Sequence, residues 1–183
     1  MEPDGEHDAA RYQKRLGGGF LVAGWIAVFG LLAWLFADLL AHDANPNTRP
    51  GGQVTASGAR EVVLRRNRAG HYVAEGFING TPATFLLDTG ATQVSVPDTV
   101  ARAAGLERGA PGTAMTAAGP VTVYATRLDS VRLGNIELRQ VRGHVNPRMP
   151  GNEVLLGMAF LKHLELIQRG DSLTLRQHPP ASP

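Results

Sequence analysis

Residues 85–92 read Phe-Leu-Leu-Asp-Thr-Gly-Ala-Thr, three apolar residues running straight into a carboxylate, a hydroxyl and a glycine. A buried strand that delivers Asp88 into a tight turn has this composition, and Gly90 supplies the close backbone approach and unusual φ/ψ that such a turn uses. Burial at the end of a hydrophobic strand favours the neutral form of a carboxyl group. That is how such a group is prepared for acid–base work near neutral pH. The remaining inventory of reactive side chains is sparse. Cysteine is absent, which excludes disulfides, thiolate metal sites and a cysteine nucleophile. His71, His144 and His163 show neither metal-ligand spacing nor a neighbouring serine elbow, and read as satisfied or surface side chains. The net charge of +2 is too small to argue for a nucleic-acid partner. The densest cationic run, Arg65-Arg66-Asn67-Arg68, falls at an expected hairpin tip and reads as a solvated turn before an anion or lipid site.

The elements that must position Asp88 are strands. From about residue 60 the chain alternates with a period of two between turn signals. Glu61–Leu64 and His71–Ile78 are expected strands. Asn79-Gly80 is a two-residue hairpin signal, because both residues accept the positive φ of a type I′ turn, and Thr81–Leu87 is the return strand that ends at Asp88. Val94–Val96 is a short strand. A helix opens at Pro97-Asp98, runs to Ala104 and stops at Gly105. Thr113–Thr116 and Val121–Leu128 flank a turn at Ala118-Gly119-Pro120. Val131–Leu133 and Ile136–Val145 surround Gly134-Asn135. A second short helix follows Gly157 to about His163, and a last hairpin, Leu164–Gln168 with Leu173–Arg176, turns at Gly170-Asp171. Many short strands with two short helices imply a mostly β fold, a small closed barrel over residues 60–178. A phosphoaspartate enzyme would need parallel strands with long crossover helices instead. Val96, Met115 and Val145 are candidates for an apolar cleft lining.

The N-terminal third is organised differently. Residues 1–15 are polar. No charge appears from Leu16 to Ala37, a run long enough for a membrane-spanning helix, which we place at 16–40. A cleaved signal peptide is the competing reading, with a shorter apolar core. Arg11, Lys14 and Arg15 precede the run, and Asp38 and Asp43 follow it. The positive-inside rule therefore predicts a cytoplasmic N-terminus and a periplasmic or otherwise extracytoplasmic domain on an inner membrane. Residues 41–59 have the composition of a flexible linker, and 179–183 form a proline-rich, disordered tail.

Three motifs in order resemble those of the retropepsin-like aspartic proteases, and most closely the bacterial type with an N-terminal membrane anchor. They are Asp88-Thr89-Gly90-Ala91-Thr92, the hairpin tip around Ala117-Ala118-Gly119-Pro120, and Val154-Leu155-Leu156-Gly157-Met158-Ala159-Phe160-Leu161. The resemblance implies a single-lobe barrel and peptide-bond hydrolysis by water held between two carboxylates. These share one proton, because both cannot be charged at that distance. Only one Asp-Thr-Gly is present, so the implied active unit is a homodimer with Asp88 from each chain at the two-fold axis. The resemblance makes Thr89 a brace across that axis and lets the Gly90 N–H approach the carboxylates. Ala91 and Thr92 complete the loop. Thr116, Ala117, Ala118 and Gly119 form a flap over a protein or peptide substrate. Leu155, Leu156 and Gly157 support the Asp loop. No cofactor and no metal are implied. The alternative from another class is a catalytically silent peptide-binding or scaffold module that uses the same barrel and flap groove.

Overall fold

The structure is a computed structural model that describes residues 23–34, 44–116 and 119–179. Contacts divide the chain into two units, Met1–His42 and Asp43–Pro183. In the first, residues 23–34 form a helix, α1, with every residue exposed. The rest of the expected span at 16–40, the segment 1–15 and the tail beyond residue 179 lie outside the described residues. Among the described residues, no helix is long and apolar enough to cross a membrane.

The second unit is mostly β. In chain order it contains β1 (Gly52–Val54), β2 (Arg60–Arg65), β3 (Val73–Ile78), β4 (Thr81–Leu87), β5 (Val94–Pro97), α2 (Asp98–Ala103) and β6 (Pro111–Thr116). Then come β7 (Gly119–Leu133), β8 (Ile136–Asn146), β9 (Glu153–Leu156), α3 (Met158–Leu161), β10 (Glu165–Arg169) and β11 (Ser172–Gln177). Besides α1, which lies within the span expected at 16–40, the described residues hold the two short helices expected of the domain. Strands β3-β4-β9-β5-β8-β7 are neighbours in that order, and β3 pairs back onto β7 through Phe77↔Arg132 and Ile78↔Val131. Six strands thereby close into a ring, as expected of a barrel, with β6 added along β7. A separate antiparallel sheet has the order β1-β2-β11-β10.

Local chemistry explains much of this. Asn79 and Gly80 take φ of 50° and 80°, and Ile78 pairs with Thr81, so the hairpin closes in two residues as a type I′ turn. The alternation of β2 turns Val62 and Leu64 into the same core that receives Leu173 and Leu175 from β11 and Phe85 and Phe160 from the barrel side. Both phenylalanines are fully buried, each contributing roughly 1.5–3 kcal/mol by leaving water. The two strands expected at 121–128 and 131–133 are one strand. It pairs with β6 in its first half and with β3 near its end. The break in the pattern is a bend: Gln140 has φ +55° beside Asp129, and the buried positions step from Leu128 to Val131 and Leu133.

The flexible linker expected at 41–59 is a correction. Residues 41–43 lie outside the described residues, but from Asn45 onward the chain is part of the fold. Asn47 is buried, bridges to Ala74 and accepts no freedom. Its side-chain amide donates to the carbonyls of Arg65 at 2.9 Å and Val73 at 2.7 Å, and its Oδ1 accepts the Arg65 N–H at 2.7 Å. Its own carbonyl accepts the Glu75 N–H at 3.0 Å. Next to it Asn45 donates to Glu75 Oε1 at 2.9 Å. β1 then pairs with β2, and the Asn135 amide donates to the Gln53 carbonyl at 2.9 Å. Polar composition suggested a linker, yet these polar groups satisfy buried backbone.

An ion network closes the second sheet. Arg176 donates to Glu61 at 2.6 Å and to Glu165 at 3.0 Å, and His178 Nε2 lies 3.0 Å from Glu165. The bond from Arg176, followed by that from Gln53, holds the Glu61 pKa below its usual value. His178 first, then Arg176, does the same for Glu165, and Arg108 with Arg102 does so for Asp98. Lowered carboxylate pKa values give stability that is complete above the unfolded value, about 4.5 for Glu, and is lost as pH falls through the folded values. Thermal melts should therefore give a melting temperature that is flat from neutral pH to about pH 5 and falls below about pH 4. A melting temperature unchanged across the acid limb would contradict this.

Candidate active site

β4 carries Phe85 fully buried, Leu86 and Leu87 part-buried, and then Asp88 at the rim. Asp88 itself is only half-buried, and Thr89, Gly90, Thr92 and Gln93 are exposed. The expectation of a buried carboxylate is thus only partly met within one chain. The last residues of β4 have a strand on each side, and the turn that follows is exposed at Thr89 and Gly90. The Gly90 N–H donates to Asp88 Oδ1 at 2.8 Å. Gly90 is not in the positive-φ region, so its small size matters instead: an added Cβ would sit 3.1 Å from Asp88 Oδ1.

The turn is held from below by the segment that begins at β9. This strand runs parallel to β4, with Leu86 opposite Leu155 and Leu87 opposite Leu156, and it touches β5 through Ser95↔Leu155. The Asp88 N–H donates to the Leu156 carbonyl at 3.2 Å. The chain then passes under the turn at Gly157. A Cβ there would lie 2.3 Å from the Gln93 carbonyl oxygen and 2.5 Å from that of Ala91, so only glycine fits. Directly after it the N–H groups of Met158 and Ala159 donate to the carbonyls of Ala91 at 2.7 Å and Thr92 at 2.9 Å. These are donors that the start of a helix cannot satisfy internally. The opening of α3 and the Asp turn therefore complete each other.

The structure thus joins Asp88, Gly90, Ala91, Thr92, Leu155, Leu156 and Gly157 into one unit, with Thr89 at its exposed crest. The expected flap stands apart from it. β6 and β7 form an antiparallel hairpin with Thr116 opposite Gly119, and Thr116 Oγ1 donates to the Gly119 carbonyl at 2.7 Å. Gly119 begins β7 with φ +100°, so the turn is one residue earlier than expected. Ala117 and Ala118, its two central residues, lie outside the described residues. Met115 is 79% exposed on this hairpin, whereas Val96 and Val145 are fully buried core residues and line no cleft.

Two contributors were missed by sequence reasoning. The Gln93 carbonyl forms the roof over Gly157, and the Tyr72 carbonyl accepts the Leu87 N–H at 3.0 Å, extending the β3–β4 ladder to the brink of Asp88. Both act through backbone, which leaves no signature in side-chain type. Among the described residues no group of His, Asp and Glu could hold a metal ion. His144 is part-buried, and that burial lowers its pKa, in keeping with a structural histidine.

A ring of short strands whose Asp-Thr-Gly turn is locked by a glycine and a helix start is similar to the lobe of a retropepsin-like aspartic protease. Residues 74–163 match the family model described as "gag-polyprotein putative aspartyl protease". The crystal structure of a retropepsin-like aspartic protease from Rickettsia conorii is similar at 28% identity and a TM-score of 0.56, covering 65% of this chain and 92% of that one. An uncharacterized protein in the cobV 5′ region of a Sinorhizobium species is 32% identical over 125 residues, which cover 66% of this chain and 54% of that protein. The chain thus spans about half the length of that curated relative. The family match and the Rickettsia likeness together support a retropepsin-like aspartic protease.

Proposed function

We propose that this protein is an aspartic endopeptidase that acts as a homodimer and is held to a membrane by residues 16–40. Its N-terminus is cytoplasmic and its protease domain extracytoplasmic. The observation that carries this reading is the Asp88 turn. It is locked from below by Gly157 and α3 and left open above, in a chain with a single Asp-Thr-Gly. Such a turn is half of a site. A second copy facing it would bring two Asp88 carboxyl groups about one water apart, where one proton is shared between them. One carboxylate then takes a proton from the water as it attacks the scissile carbonyl. The protonated partner donates to the carbonyl oxygen, and the β6–β7 hairpin covers the substrate and excludes bulk water. In this reading the exposed Thr89 braces the two turns. A common membrane confines protomers to a plane and raises their effective concentration, so a weak interface suffices.

The test is peptide-library cleavage by the full-length protein in detergent, over a series of protein concentrations and from mildly acidic to neutral pH. We expect activity that rises faster than linearly with protein concentration until the dimer saturates. Strictly linear activity from a monomer would remove the shared site. A folded dimer that binds peptides without cleaving them would assign the chain to the silent peptide-binding class.

A further inference from the structure

We infer that the end of the four-stranded sheet where the chain enters the fold is a docking surface for an anionic membrane, through phospholipid headgroups. This rests on the membrane-anchored reading above and deepens it.

The geometry is set by register. Arg65 of β2 lies opposite Ser172 of β11, and Ser172 lies opposite Arg169 of β10. Directly paired residues share a face, so two exposed guanidinium groups flank one small hydroxyl, about two strand spacings or ~10 Å apart. Arg66 and Arg68 continue the charge into the β2–β3 turn. The turn is rigid: Asn67 N–H donates to the His71 carbonyl at 2.8 Å, and Asn67 Oδ1 accepts the His71 N–H at 2.9 Å. Asp171, 86% exposed, lies 3.7 Å from Arg66. Glu75, the other nearby acid, is occupied by Asn45 and Thr84.

The rest of the face is graded to suit an interface. The next row along is Val63, Thr174 and Ile167, with Val63 46% exposed. Beyond it come Glu61, Arg176 and Glu165, in which one guanidinium is paired with two carboxylates, so this end carries no excess positive charge. Charge for headgroups therefore sits at one end only, followed by an apolar row. That end is also where the chain arrives, since the Asn67 side-chain amide donates to the Ala44 carbonyl at 2.9 Å. Seven residues, 38–44, separate Asn45 from the end of the uncharged run at Ala37, a reach of at most about 25 Å fully extended. Membrane attachment near this end brings the arginines within range of headgroups, where an anionic surface attracts basic side chains. Arg66 also stacks over Tyr72, 5.6 Å from its ring centre, and Tyr72 adjoins Leu87.

The test is hydrogen–deuterium exchange on the full-length protein in nanodiscs of phosphatidylcholine alone or mixed with phosphatidylglycerol. Amides of residues 65–71 and 169–172 should exchange several-fold more slowly in the anionic discs. The difference should vanish in the double variant Arg65→Glu/Arg169→Glu, and at about 1 M salt, where screening is nearly complete. The control Arg127→Glu/Arg142→Glu reverses the same charge at an exposed cross-strand pair elsewhere and should keep it. Equal exchange in both lipids, or equal loss in both variants, overturns the inference. Greater protection by a soluble acidic peptide than by anionic discs overturns it in favour of an acidic protein partner. If the protein leaves the discs, the anchor reading fails separately. The same amides are then read on the full-length protein added to phosphatidylglycerol vesicles, where protection still supports the headgroup site and its absence rejects it.

Discussion

Asp88→Asn is expected to abolish peptide hydrolysis and leave the fold intact. The amide oxygen of asparagine can accept the Gly90 N–H that Asp88 Oδ1 accepts at 2.8 Å, and the Asp88 N–H to Leu156 bond is backbone. The turn therefore keeps its shape, and the melting temperature should move little. What disappears is a group able to take and return a proton. In a dimer both copies change at once, so the acid and the base are lost together. Positioned proton transfer commonly contributes 10²–10⁴-fold, and we expect a loss of at least ~10³-fold in kcat/KM. Cleavage rates and thermal melts of the two proteins, side by side, check both halves. Activity retained in the asparagine variant would remove Asp88 from the chemistry.

Gly157→Ala is expected to have the largest effect on stability. The new Cβ meets two backbone oxygens, those of Gln93 and Ala91, at 2.3 and 2.5 Å. Neither can swing away as a side chain can. Relief requires the Asp turn to lift from α3, which breaks the bonds from Met158 and Ala159. Overpacking costs about 1–3 kcal/mol, and each broken bond adds about 1 kcal/mol. A loss near 4 kcal/mol lowers the melting temperature of a domain this size by roughly 10–15 °C. Activity should fall with it, because the Asp88 turn rides on this crossing. Gly112→Ala is the matched control: a Cβ there meets nothing within 4 Å, and its effect should stay within about 0.5 kcal/mol. A Gly157→Ala protein that melts with the parent would show that the crossing bears no strain.

The sequence was most legible where side-chain type dictates backbone. Asn79-Gly80 announced its hairpin, Gly105 its helix stop, and the apolar run before Asp88 its strand. The order of the Asp turn, the hairpin and the Leu-Leu-Gly segment was also readable, because each needs particular small residues. Legibility failed where contacts between distant segments decide the outcome. Asn45 and Asn47 look like linker residues until Val73 and Glu75 are placed beside them. The long β7 looked like two strands because the bend at Asp129 and Gln140 shifts which positions are buried. Val96 and Val145 looked like cleft lining because apolar type alone does not say which face of a strand meets the core. The burial of Asp88 was overread for a related reason: the apolar run marks a strand that reaches the core, but not how far its last residue projects beyond the neighbouring strands.

Asn47 has a mechanical meaning as well. Tension arriving from the N-terminal side meets first the Asn67 grip on Ala44 and then the four hydrogen bonds of Asn47, which tie the strand to three other backbone positions at once. Those bonds share a load and must break nearly together, unlike a strand peeled one bond at a time. A tug from the N-terminal side is therefore taken up at this clamp and passed to β2 and β3 at Arg65, Val73 and Glu75, and β1 feels no force until it yields.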